Sequence, residues 1–99
     1  MNSNMSAELW IDQRYILDER SFVEIVVWRV PVRVPGSQHH FKYRLAYVVD
    51  GQRVLLYDNE RGKGDHKHVG GVEEPYIFTD SNKLLDDFFA DVDRLRREK

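Results

Sequence analysis

The sequence has no cysteine, which excludes disulfides and thiolate metal sites and leaves a reducing compartment open. Proline is scarce, at three residues, and all six glycines fall between apolar runs rather than inside them. Glycine placed that way marks turns and leaves the runs free to form regular elements. No apolar run approaches the ~20 residues that span a bilayer, so no membrane segment is expected. The opening Met-Asn-Ser-Asn-Met-Ser lacks the basic and apolar blocks of a signal peptide. The cytoplasm is the expected location, and residues 1–7 are expected to be disordered. A large charge of one sign is also missing, since the net charge is −2.

What remains suits one folded domain over residues 1–99. Hydrophobic content of 41% and aromatic content of 12% can build a modest core. The small net charge hides a division. Residues 29–70 carry eight basic and four acidic side chains, together with all four histidines. The flanking segments are acidic. A basic middle on an acidic frame suits a local anionic ligand better than a surface that coats nucleic acid broadly.

Leu9 to Leu17 alternates loosely and reads as a first strand, closed by the polar turn Asp18–Ser21. Phe22 to Val30 is rich in β-branched and aromatic residues, and both of its faces are apolar apart from Glu24 and Arg29. A strand of that kind should lie inside a sheet, with both faces covered. Glu24 would then be buried, either paired with an arginine on a neighbouring strand, the favoured reading, or acting as a general base. Pro31, Pro35 and Gly36 open a loop, with His39 and His40 as solvated residues at its end. Phe41 to Val49 alternates, and Asp50-Gly51 is a hairpin signal, since a type I′ turn wants positive φ at both central residues. Arg53 to Tyr57 is the returning strand. Pro75 to Thr79 reads as a short edge strand. Leu84, Leu85, Phe88, Phe89, Val92 and Leu95 then share one helical face, behind a cap at Asp80 or Ser81.

The fold class is therefore α+β: an antiparallel β-meander of four or five strands with a C-terminal α-helix packed on one face. One helix covers one face only. The other face implies a homodimer or a dedicated partner protein.

The stretch Tyr57 to His68, Tyr-Asp-Asn-Glu-Arg-Gly-Lys-Gly-Asp-His-Lys-His, holds the densest set of reactive groups. It reads as a loop of about twelve residues, longer than a hairpin needs. His66 and His68 form a His-x-His pattern, and in extended backbone their imidazoles point to one side. Two imidazoles near neutrality can give and take protons. Lys63, between two glycines, is free to meet a phosphate. The candidate catalytic set is His66, His68, Lys63, Asp65 and Asp58, with one of the two aspartates orienting an imidazole. Arg44 and Lys42, on the neighbouring strand, could meet the same anion, and Tyr57, Arg61 and Lys67 complete a substrate-binding set. The same residues also allow a metal half-site, His66 and His68 with Asp65 or Asp58. An ordinary polar loop is the third reading, with Tyr57 as a packing residue at a strand end.

The chain resembles the TumE family of toxins from toxin–antitoxin pairs over roughly residues 10 to 95. The resemblance is carried by Val26–Pro31, Lys42–Leu45, Tyr57–His68, Glu73–Phe78 and Asp87–Val92, and the Tyr57–His68 block is the most specific. It implies a toxin neutralised by a cognate antitoxin that carries a helix-turn-helix domain. It assigns no catalytic residues. The chemistry expected from the residues themselves is RNA cleavage without a metal or other cofactor. One histidine would take the 2′-OH proton, the other would protonate the leaving oxygen, and Lys63 and Arg44 would stabilise the phosphorane. The alternatives are a non-catalytic binding protein, whose loop contacts a target or the antitoxin, and a metal-dependent hydrolase.

Overall fold

The computed structural model of the chain describes residues 6–60 and 62–98. Six strands, β1 (Glu8–Asp18), β2 (Ser21–Arg29), β3 (Phe41–Val49), β4 (Gln52–Asp58), β5 (His66–Val69) and β6 (Val72–Pro75), precede one helix, α1 (Ser81–Arg97). The strands lie in chain order, each antiparallel to the next. The architecture is the α+β meander that the patterning predicts, with one strand more than the upper expectation. The expected disorder of residues 1–7 falls mostly outside the described residues, and so does Arg61.

The extra strand comes from the stretch expected to be one long loop. β4 runs on through Asp58 and β5 begins at His66, so only residues 59–65 are left to turn the chain. Gly70-Gly71 then makes a tight hairpin instead of merely ending a loop, with Gly70 at φ 64°. It returns the chain as Val72–Pro75, and the edge strand expected at Pro75–Thr79 ends where it was expected to begin. The Asp50-Gly51 turn forms as expected, with φ of 52° and 77°.

Alternation fixes which side of the sheet is buried. Val23, Ile25 and Val27 of β2 face Tyr47, Leu45 and Tyr43 of β3, and Leu55 and Tyr57 of β4 continue the layer. All are buried, and Leu84, Phe88 and Val92 of α1 close over them. Each such side chain contributes about 1.5–3 kcal/mol by leaving water. Asp80 caps the helix by accepting a hydrogen bond from the Lys83 N–H at 2.8 Å. Arg96 fastens the other end, reaching Asp18 and Ser21 at 3.1 Å each.

Polar ties complete the helix–sheet layer. The Tyr57 hydroxyl donates to Asp91, and Lys67 Nζ lies 3.1 Å from the same carboxylate. The Tyr76 hydroxyl donates to Asp87 at 2.6 Å, and Lys83 donates to it at 2.8 Å. Burial alone would raise the Asp91 carboxyl, but the hydrogen bonds from Tyr57 and Lys67 and the nearby cations outweigh it, so its pKa falls below the ordinary 3.8. Asp87 is lowered in the same way, against burial, by Lys83 and Tyr76. Groups depressed in the folded state contribute stability above their unfolded pKa and lose it as pH falls through the folded value. Thermal melts between about pH 5 and pH 2 should therefore show stability falling below about pH 4, and Asp91→Asn should flatten that fall. An identical acid profile in the variant would remove Asp91 from the account.

The face opposite the helix differs from the expectation of a strand buried on both sides. Phe22, Glu24, Val26 and Trp28 are only half-buried there. Glu24 is 37% exposed in its side chain and lies between Arg14 at 3.8 Å and Arg44 at 3.9 Å. The expected arginine pairing holds, with one arginine on each neighbouring strand, but the carboxylate is not deep in a core. At that exposure each pair is worth about 0–1 kcal/mol.

Candidate active site on the open face

Register carries the chemistry to this open face. Asp58 pairs with Arg44 across β3–β4 and with His66 across β4–β5, while His68 sits between Leu56 and Glu73. The period of two then places Arg44, Asp58, His66, His68 and Glu73 on the side away from α1. The strand β5 supplies the extended backbone that the His-x-His pattern needed, and the two imidazoles lie 5.2 Å apart between centroids.

Asp58 and His66 are almost wholly buried, at 4% exposure each. His66 Nδ1 lies 3.0 Å from the Gly64 carbonyl, an acceptor only, so Nδ1 carries the proton. Nε2 of the neutral ring is then a bare acceptor. It faces Asp58 Oδ1 at 3.1 Å and Glu73 Oε2 at 3.4 Å. Neither Nε2 nor Oδ1 has a hydrogen-bond partner of acceptable geometry. Ligating atoms of Asp58, His66 and His68 all lie within 4.8 Å of one another. Among the described residues these three form a group that could hold a metal ion.

Cations border the cluster. Lys63 Nζ is 3.7 Å from Glu73, and Arg44 stands beside Asp58 in the register. A shallow cleft of about 340 Å³ opens there, lined by Lys63, Asp65, His66, Glu73, Glu74 and Pro75. A larger cavity, of about 550 Å³, lies at the Asp18–Ser21 turn, where Arg96 spans it to anchor the helix. It holds none of the candidate residues.

The remaining candidates do not join the Asp58–His66–His68 cluster. Asp65 accepts hydrogen bonds from Ser37 Oγ, His39 Nε2 and the Tyr43 hydroxyl, each at 2.7 Å. That carboxylate is spent on holding loop 30–40 to the 59–65 turn, and it is not among the converging metal-ligating groups. His39 is not solvated as expected: it is stacked on Phe78 at 3.7 Å between centroids and its side chain is 15% exposed. His40 is half-buried and lies 3.1 Å from the Val30 carbonyl. Tyr57 and Lys67 are on the helix side, bound to Asp91. Burial and then the bond to Asp91 push the Tyr57 phenol well above its ordinary range, so it stays a neutral donor. Lys42 shares the open face with Arg44 but sits toward the start of β3, opposite Trp28.

Two residues were not legible as part of the site. Glu73 enters it because the Gly70-Gly71 hairpin lays β6 against β5, and the glycine pair was the signal available for that pairing. Asn59 is fully buried and pins the turn, donating to the Phe41 carbonyl at 2.8 Å and to Ser37 Oγ at 3.0 Å. It also accepts from the Tyr43 N–H at 3.0 Å.

A six-stranded meander with one covering helix and a buried Asp–His cluster on its open face defines a small α+β protein. The chain belongs to the TumE toxin family, whose model, Toxin TumE, matches residues 5–96. Membership gives it a toxin's role and implies an antitoxin partner. Comparison with curated proteins and with solved structures finds no significant match. Among the described residues no helix is long and apolar enough to cross a membrane.

Proposed function

We propose that this toxin acts in the cytoplasm by cleaving phosphodiester bonds of RNA at the open face of its sheet. The observation that carries the reading is the convergence of Asp58, His66 and His68 beside Lys63 and Arg44. The cations attract the phosphate and oppose the charge that grows on it. His68 is half-buried on the same face. His66 is enclosed, with Nδ1 held by Gly64 and Nε2 turned to Asp58. This favours a different division of labour from one in which both imidazoles trade protons with the RNA. The Asp58–His66 pair works as a fixed unit, and the half-buried His68 completes the site beside it.

Purified chain incubated with end-labelled RNA should shorten it, and the His68→Ala variant should not. No cleavage of any RNA offered would leave a toxin that acts by binding alone. That second reading has support in the carboxylates of the face, Glu24 and Glu73 among them, which repel a polyanion.

The antitoxin, with the helix-turn-helix domain that the resemblance implies, and a second copy of the toxin both need a surface. β1 offers one, since it is an edge strand on which Leu9, Trp10, Tyr15 and Ile16 are each about half exposed or more. A homodimer through β1 should appear in light scattering and be lost in Ile16→Lys. A chain that stays monomeric at every concentration would remove the homodimer.

A further inference from the structure

The Asp58–His66 contact is a problem in elementary chemistry. Two acceptors are buried 3.1 Å apart, and neither is hydrogen-bonded. Each unsatisfied buried group is unfavourable, so something electropositive belongs between them. A second proton on His66 would serve only if it were aligned with the carboxylate, and the hydrogen-bond geometry is not met. A cation fits better. A metal about 2.0–2.1 Å from both atoms would subtend roughly 100° between them, close to the angles of tetrahedral and octahedral sites. The 3.4 Å between His66 Nε2 and Glu73 Oε2 corresponds in the same way to roughly 110°. His68 approaches from the same side of the strand, within the 4.8 Å span of the cluster. The outer support is also that of a metal-ligating imidazole, whose second nitrogen donates to a backbone carbonyl, here Gly64 at 3.0 Å.

We propose that Asp58, His66 and His68 bind one divalent transition-metal ion of the zinc class, with Glu73 closing the open side. Two imidazoles with carboxylates select such ions over magnesium and calcium, which take oxygen alone. The ion would let a face rich in carboxylates accept a phosphate. The proposal deepens the functional reading above and rests on it for its purpose, but it is tested without RNA.

Zinc chloride is titrated into the metal-free full-length chain by calorimetry, and the metal retained after dialysis is counted. The wild type should hold one zinc per chain. Asp58→Asn and His68→Ala should bind at least about 100-fold more weakly, since loss of an outer partner alone costs 10- to 100-fold. His40→Gln, a histidine outside the cluster, should bind like the wild type. Zinc should raise the melting temperature of the wild type and leave that of Asp58→Asn unmoved. Absence of zinc uptake by the wild type, or equal affinity in Asp58→Asn and His68→Ala, would overturn the proposal. Zinc bound without RNA cleavage sinks only the functional reading. RNA cleaved by a chain that binds no zinc sinks only the metal site.

Discussion

Asp58→Asn should lose cleavage activity by about 10²-fold or more, since it removes the buried carboxylate that faces His66 at the centre of the site. It should do so without losing stability. The substitution keeps the shape of the side chain and can place an amide N–H against the bare His66 Nε2. The wild-type contact leaves two buried acceptors unsatisfied at about 1–3 kcal/mol each. An ordinary core residue shows the reverse pattern, with stability falling first. In metal-free buffer, a variant that melts at or above the wild-type temperature while losing activity marks a site kept for function at a cost in stability. The check is a urea or thermal melt beside the RNA assay. A variant that unfolds early, or one that cuts RNA at the wild-type rate, would contradict the assignment of Asp58.

Gly36→Ala should be the most damaging substitution outside the site. Gly36 is at φ +91°, and a Cβ there would lie 2.4 Å from the Gly64 backbone nitrogen. Backbone meets backbone at this contact, so no side chain can swing aside. The left-handed conformation alone costs a non-glycine residue about 1–2 kcal/mol, and the clash must also separate loop 30–40 from the 59–65 turn. A loss of about 3 kcal/mol or more is expected. The separation also strains the Asp65 hydrogen bonds and shifts the Gly64 carbonyl that orients His66, so activity should fall with stability. Gly51→Ala is the contrast. It shares a positive φ of +77° but has nothing within 4 Å, so it should cost only the conformational term. Equal melts for the two variants would show that the loop contact does not matter.

The fold was legible where alternation was uninterrupted. Phe41 to Val49 and the Leu84–Phe88–Val92 stripe each declare one buried face, and each packs as its pattern requires; Phe22 to Val30, apolar on both faces, reads as buried on both and is fully buried on one. Asp50-Gly51 was legible because two residues suffice to set that turn. The stretch after Tyr57 was read less well, since its polar residues give no alternation. His66-Lys67-His68 is a strand because it pairs with β4 and β6, and such pairing is tertiary information. The same gap explains the aspartates. The sequence leaves Asp58 and Asp65 both open as partners of the histidines, and proximity favours Asp65, the neighbour of His66. Strand parity puts Asp58 on their face, while Asp65 sits in the turn and is taken up by Ser37, His39 and Tyr43. His39 looked solvated because nothing in its neighbours announces Phe78, which follows it by nearly forty residues.

Growth and RNA integrity, followed in one culture after induction of the wild type or His68→Ala, test the central claim most directly. His68 is the half-buried member of the cluster and lies outside the hydrophobic core, so its loss leaves the core untouched. The wild type should arrest growth with fragmented RNA, and His68→Ala should grow with intact RNA while still binding the antitoxin as a folded protein. A folded His68→Ala that arrests growth and fragments RNA like the wild type would contradict the claim, as would a wild type that arrests growth and leaves RNA whole.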